Sequence, residues 1–186
     1  MVTMMSLWLP MLGSAIAVFI VSSVIHSVLK YHRSDYGPIE NEERVMAALR
    51  DAGVKPGEYV MPYAGDMAAM KDAAYVERRE KGPVAFMTVM RGGPVTMGAE
   101  LAQWFLYCLF VSAFAAYVAG RALGPGAEYL EVFRFVGAAA FASYAIGLWQ
   151  FSIWYQRSWV TTAKWTFDGL VYALVTAGMF GWLWPV

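Results

Sequence analysis

Charged side chains are scarce in this sequence. Asp, Glu, Lys and Arg make up 15% of its 186 residues, whereas about a quarter of the residues of an ordinary soluble domain are charged. Hydrophobic residues make up 59%, which is typical of a protein that contacts a lipid bilayer. The formal net charge is zero and no basic block stands out, so the sequence predicts no nucleic-acid partner.

Cysteine and histidine are also rare. Cys108 is the only cysteine and lies in an apolar run, which excludes an internal disulfide and a cysteine zinc cluster. The two histidines do not have the spacing of haem ligands on transmembrane helices. The sequence contains neither a glycine-rich phosphate loop nor a Gly-x-Ser-x-Gly motif. We therefore predict no catalytic residues and no organic cofactor, and these absences favour a protein that is not an enzyme.

Long apolar segments predict four transmembrane helices. The first lies within residues 1–30, and because no Lys or Arg precedes Lys30, we interpret it as a retained helix and not a signal peptide. The other three lie within residues 98–186, and the short loops between them predict antiparallel neighbours. The predicted fold is a mainly α integral membrane protein, a four-helix transmembrane bundle. Its helices are expected at residues 7–29, 99–120, 132–154 and 160–184.

Charge is concentrated between the first and second predicted helices. Ten of the fourteen Lys and Arg, and ten of the fourteen acids, lie between Lys30 and Arg91. Two helices, near residues 41–50 and 67–80, and two strands, near 58–62 and 84–90, are predicted there. We therefore expect a small α+β cap over residues 31–97, near the lower size limit for independent folding.

The distribution of positive charge predicts the orientation. If the cap and the turn between the third and fourth helices share a side, that side carries twelve Lys and Arg, and the other carries Arg121 and Arg134. The predicted protein is therefore multi-pass, with residues 31–97 cytoplasmic and both termini outside.

Small residues recur at every fourth position of the last predicted helix, at Gly169, Ala173, Ala177 and Gly181. Such a face allows another helix to pack closely. Besides the lipid bilayer, the expected partners are therefore a second copy of the chain or another protein, bound through small-residue faces and the cap.

Each predicted membrane helix also carries a polar stripe near its cytoplasmic end. Asp168 is the only acid well inside the last helix, and a carboxylate there needs a partner; Lys164, His26 and Arg157 are the candidates. An Asp facing lipid at mid-helix costs about 2.5–3.5 kcal/mol, so we expect the stripes to turn inward as one layer. This layer either fixes the helix register or forms a pocket for an ion, a proton or a small ligand. The candidate ligand-binding residues are Asp168, Glu100, His26, Gln103, Gln150, Lys164 and Tyr172.

His26, His32 and Asp35 form a candidate metal site. Imidazole and carboxylate groups together suit several divalent metals. Their spacing matches no standard metal motif, and histidines at a helix end also cap carbonyl groups or contact lipid headgroups. A metal at these three residues and a purely structural role both remain open.

Three strings carry a resemblance to known proteins: VIHSVLKYHRSDY at residues 24–36, WFLYC at 104–108 and FDGLVYALVTAG at 167–178. The chain resembles a group of conserved bacterial inner-membrane proteins of unknown function. The resemblance spans the whole chain and implies the membrane architecture and a bacterial inner-membrane location. It implies no activity.

Function is predicted in three classes. The small-residue faces and the missing catalytic motifs favour a non-enzymatic accessory or self-associating subunit. The alternative is a protein that binds or transports an ion, a proton or a small ligand, using the polar layer in the cytoplasmic half of the bundle. A weaker third is an enzyme acting on a lipid or quinone at the inner interface, with His26 or His32 as the acid–base group.

Overall fold

The structure is a computed structural model, and it describes residues 2–186. The chain divides into two compact units: a helical unit made of Met1–Tyr36 and Thr96–Val186, and an insert unit, Gly37–Val95. In chain order the elements are α1 (Trp8–Ser27), α2 (Glu42–Asp51), β1 (Gly57–Met61), α3 (Ala73–Lys81), β2 (Ala85–Val89), α4 (Gly98–Ala122), α5 (Tyr129–Tyr144), α6 (Trp149–Tyr155) and α7 (Trp159–Trp182).

Within residues 2–186, three helical segments are long and apolar enough to cross a membrane: Met4–Ser27, Gly98–Ala122 and Tyr129–Tyr155. They agree with the mainly α membrane fold expected from the sequence. The fourth predicted span, α7, has 24 residues, but Lys164, Asp168 and several threonines interrupt its apolar run. That α7 crosses the bilayer stays a prediction.

The long helices of the helical unit pack in a ring. α1 and α5 each contact both α4 and α7. The Ser14 and Ser112 hydroxyls lie 2.9 Å apart, and the Trp104 indole donates to Ser22 over 2.8 Å. These two contacts pair the start of α1 with the end of α4 and the end of α1 with the start of α4, so the two helices are antiparallel.

Small residues of α7 pack against other parts of the same chain. A methyl group added at Gly169 would lie 2.8 Å from the Ala145 side chain, and one at Gly181 would lie 2.6 Å from the Tyr129 ring. Both are closer than atoms in contact allow, so α5 packs directly on the glycine backbone of α7. The small-residue face of α7, on which the prediction of self-association rests, is therefore covered by α5 of the same chain.

The third predicted helix is not continuous. α5 ends at Tyr144, a 3₁₀ turn follows at Ile146–Leu148, and α6 then begins at Trp149. Ala145 leaves the helical conformation with φ −123°, at the point where Gly169 presses on this backbone. Gly147 adds to the break because glycine has a low helix propensity.

The insert unit is a two-stranded antiparallel sheet with two short helices. β1 pairs with β2 so that Gly57 faces Val89 and Met61 faces Ala85. α3 begins at residue 73 and not at 67, because Asp72 caps it by accepting the Ala74 N–H over 3.0 Å. Tyr75 is the only buried residue in this unit, all of which the structure describes. So small a core agrees with the marginal folding expected for the cap.

Residues 31–36 belong to the helical unit and not to the insert unit. The predicted cap begins six residues too early, because a 3₁₀ turn at Tyr31–Ser34 folds back against α7. We call residues 31–35 the docking turn.

Candidate functional site

Lys164 fastens the docking turn to the start of α7. Its ammonium group donates to the Tyr31 carbonyl over 2.8 Å, to the Ser34 hydroxyl over 2.7 Å and to one Asp35 oxygen over 2.9 Å. An ammonium has three N–H donors, so these contacts use its full capacity.

Asp168 is buried one helical turn after Lys164. Its side chain is 2% exposed, one oxygen accepts a hydrogen bond from the Tyr31 hydroxyl, and the other lies 2.7 Å from His32 Nε2. The carboxylate therefore faces the protein and has a partner on each oxygen. This is the arrangement that a carboxylate in an apolar helix requires.

The partners predicted for Asp168 are wrong. Lys164 pairs with Asp35, and the Arg157 guanidinium lies over the Trp165 ring, 4.9 Å from its centre. The reason is the docking turn, which brings Tyr31 and His32 onto Asp168 and brings Asp35 within reach of the long Lys164 side chain. His26 lies near the carboxylate but makes its own hydrogen-bond contact with Tyr172.

His32 lies between two carboxylates. Its Nδ1 is 2.7 Å from Asp35 and its Nε2 is 2.7 Å from Asp168. When both carboxylates are ionised they can only accept hydrogen bonds, so an imidazole that bonds to both donates from each ring nitrogen and carries a positive charge. Two carboxylates, one imidazolium and the Lys164 ammonium then sum to zero charge.

Asp35 is held in its ionised form. Burial opposes ionisation, but hydrogen bonds from His32, Lys164 and Trp165 outweigh it and lower the pKa of Asp35 to about 2. Burial, together with the hydrogen bond to Asp168, raises the pKa of Tyr31 above its ordinary value. Tyr31 therefore remains a hydrogen-bond donor, and Asp35 remains an acceptor, at neutral pH.

His26 is an exposed residue in the last turn of α1. Its Nε2 is 3.4 Å from the Tyr172 hydroxyl, which is long for a hydrogen bond. Its ring centre is 4.7 Å from that of His32. Nitrogen atoms of the two histidines and an oxygen of Asp168 all lie within 4.8 Å of one another.

A half-open cavity of about 450 Å³ adjoins this cluster, and helices α1, α4, α5 and α7 all contribute to its wall. The wall surface is mainly apolar. Among residues 2–186, the buried Tyr144 hydroxyl finds no hydrogen-bond partner of standard geometry, although Cys108 and Thr176 lie near it. The aromatic residues of the wall are Trp104, Tyr107, Tyr144, Trp165 and Tyr172, and its ionisable side chains include His26, Glu100 and Asp168.

The structure brings together four of the predicted ligand-binding residues and separates three. Asp168, Glu100, His26 and Tyr172 line the cavity, and Lys164 instead supports the docking turn. Gln103 and Gln150 are exposed and do not line the cavity. The break after α5 removes the continuous helix on which the position predicted for Gln150 depended.

The group of possible metal ligands in the structure differs by one residue from the predicted group. The predicted set was His26, His32 and Asp35, whereas the group with converging donor atoms is His26, His32 and Asp168. Asp35 contacts His32 through the opposite ring nitrogen, because the 3₁₀ turn places Asp35 behind the ring.

Several aromatic residues of the site were not predicted. Tyr31 lies within the residues predicted as the cap, and Trp165 and Tyr144 are not among the predicted site residues. The Tyr144 hydroxyl carries no sequence signal. Trp165 lies three residues before Asp168, a spacing that places both on one face of a helix.

Comparisons of the chain with protein-family models, curated proteins and solved structures gave no match. The resemblance to bacterial inner-membrane proteins therefore stays a prediction, and the function of the chain has to be inferred from the geometry of the site.

Proposed function

We propose that this chain is a multi-pass membrane protein that binds a small amphipathic ligand in the cavity of its helical unit. The observation that carries the proposal is that His26, Glu100 and Asp168 line one cavity whose wall is otherwise mainly apolar. Ligand pockets commonly combine an apolar wall with a few polar groups that orient the ligand. No covalent chemistry is proposed.

The cavity's chemistry suggests the class of ligand. A volume of about 450 Å³ falls within the range of small-molecule sites, roughly 300–1,000 Å³. Trp104 and Trp165 offer flat apolar surfaces to a ligand body. His26 and Glu100 line the cavity and are exposed, so they are available to a polar headgroup.

The first test fills the cavity. Leu101 lines it and is 41% exposed, whereas Leu106, on the same helix, is 62% exposed and lies outside the wall. We expect native mass spectrometry of the wild-type protein in lipid nanodiscs to detect one retained small molecule. Leu101→Trp should lose this molecule, and the matched Leu106→Trp should keep it. Equal retention by both variants, or no bound molecule in the wild type, would contradict the proposal.

The proposed membrane arrangement has four spans, with α7 as the last, in a bacterial inner membrane. The residues of α7 that lower its apolarity, Lys164 and Asp168, are both paired with the docking turn, which reduces the cost of burying them. The positive-charge bias supports an insert unit in the cytoplasm and both termini outside.

This orientation can be tested by cysteine labelling, because the only native cysteine, Cys108, is fully buried. Ser6→Cys and Gly92→Cys add reporters near the N-terminus and in the insert unit. A membrane-impermeant maleimide should label Ser6→Cys in spheroplasts and should label Gly92→Cys only after lysis. The reverse pattern would invert the orientation, and labelling of both in spheroplasts would rule out a cytoplasmic insert.

A non-enzymatic accessory or self-associating subunit, the other main class of predicted function, has weaker support. Its motivation is the small-residue helix faces and the missing catalytic motifs, and α5 packs on the α7 face at Gly169 and Gly181. A homo-oligomer or protein complex would have to form through other surfaces.

A further inference from the structure

The two histidines and Asp168 form a cluster that ligand binding in the cavity does not explain. We propose that His26, His32 and Asp168 bind one divalent first-row transition-metal ion. The inference goes beyond the proposed function and does not depend on which molecule occupies the cavity.

The donor atoms fit this class of metal. The site offers two imidazole nitrogens and one carboxylate oxygen, all within 4.8 Å of one another. Such a donor set suits Fe²⁺, Co²⁺ or Zn²⁺, whereas Ca²⁺ and Mg²⁺ prefer oxygen ligands only. Three protein ligands leave at least one coordination position open, and His26 and Asp168 both line the cavity.

His32 and Asp168 are both oriented by other residues. Asp35 lies 2.7 Å from His32 Nδ1, which fixes that nitrogen as the donor and directs Nε2 towards Asp168. Metal-bound histidines typically donate their second N–H to a carboxylate or carbonyl in this way. Asp35 is itself held by Lys164 and by the Trp165 indole, each over 2.9 Å.

Asp168 is arranged in the same manner. Tyr31 donates to Oδ1 and leaves Oδ2 on the side of His32. In His32 and Asp168 the remote atom is thus occupied, and the near atoms face each other over 2.7 Å. The His26 ring is tilted by 32° to that of His32 with centres 4.7 Å apart, which brings a third donor atom within 4.8 Å of both.

Binding requires small movements and the release of one proton. Metal–nitrogen and metal–oxygen bonds of about 2.0–2.2 Å place ligand atoms farther apart than the 2.7 Å between His32 and Asp168, so this pair must open slightly. His26 is exposed and can move inward. The His32 Nε2–H bond breaks, its proton passes to the buffer, and the metal–nitrogen bond takes its place. The four-group cluster then changes from neutral to a charge of +1, with no change of oxidation state.

The test uses Co²⁺ and the full chain in lipid nanodiscs, with any affinity tag removed because polyhistidine binds Co²⁺. We expect elemental analysis to find one Co²⁺ per chain. The bound ion should give the visible absorption bands typical of Co²⁺ with a low coordination number. Tryptophan fluorescence should be quenched, because the Trp165 ring centre is 5.7 Å from that of His26 and 5.6 Å from that of His32. Trp165→Phe should remove most of this quenching.

Variants separate this site from adventitious binding. His26→Ala should weaken Co²⁺ binding by more than about 100-fold. Asp35→Asn should weaken it by about 10–100-fold, because Asp35 hydrogen-bonds to the metal ligand His32 and does not bind the metal itself. Gln103→Ala, which removes an exposed polar side chain outside the cavity wall, should bind Co²⁺ as the wild type does. His26 is exposed, so its variant should fold, and unchanged size-exclusion and circular-dichroism profiles would verify this. A wild type that binds no Co²⁺, or unchanged binding in folded His26→Ala or Asp168→Asn, would overturn the proposal.

Discussion

Replacement of Asp168 with alanine should detach the docking turn from α7 and destabilise the helical unit. Without the carboxylate, His32 loses its partner at Nε2 and the Tyr31 hydroxyl loses its acceptor. Removing one member of a buried ion pair costs about 3–5 kcal/mol when the remaining charge is left uncompensated, and the cost here should be smaller because Asp35 still pairs with His32. We expect a marked fall in the thermal unfolding midpoint in nanodiscs and faster hydrogen exchange at residues 31–36.

Two controls distinguish this effect from general damage. Asp168→Asn keeps the side-chain volume and an oxygen that can accept from Tyr31, so it should cost less than alanine. Glu100→Ala removes an exposed acid from the same cavity and should change stability by no more than about 0.5 kcal/mol. If Asp168→Ala unfolds like the wild type, with unchanged exchange at residues 31–36, the pairing of Asp168 with the docking turn does not stabilise the protein.

The second large effect is expected at Gly169, where α7 packs against the break after α5. A methyl group there would lie 2.8 Å from the Ala145 side chain and 3.2 Å from the Tyr144 carbonyl group. Neither neighbour is the end of a flexible side chain, so one of the helices must move. Gly169→Ala should destabilise the protein by about 1–3 kcal/mol, the usual cost of overpacking, with a lower unfolding midpoint.

Gly178→Ala is the matched control on the same helix. Its added methyl group would meet the Tyr129 hydroxyl at 3.7 Å, an ordinary contact, and alanine favours a helix over glycine by about 1 kcal/mol. This variant should therefore be neutral or slightly more stable. Equal behaviour of the two variants would show that close packing at Gly169 does not matter.

Much of the fold can be predicted from hydrophobic pattern alone. The helix predicted at 99–120 lies at Gly98–Ala122, and the strands predicted at 58–62 and 84–90 lie at Gly57–Met61 and Ala85–Val89. These elements are set by local sequence, because an apolar run or an alternating segment has few ways to bury its side chains. The break after Tyr144 is different, since it lies against Gly169, which is distant in sequence.

The site could be predicted only in part. That Asp168 needs a partner follows from a carboxylate in an apolar helix. The identity of the partner does not, because His32 is 136 positions away and lies in a polar stretch whose pattern is typical of the insert. The exchange of Asp35 for Asp168 among the candidate metal ligands follows from the same 3₁₀ turn, which no local pattern indicated.

The pairing between the docking turn and α7 has a consequence for membrane insertion. Ribosomes make α1 and the docking turn first and α7 last. On the proposed topology, the least apolar span thus enters the bilayer when Tyr31, His32 and Asp35 are already in place to receive Asp168 and Lys164. We therefore expect the early segment to assist insertion of the final helix, and we expect α7 to remain at the membrane surface in a chain without it.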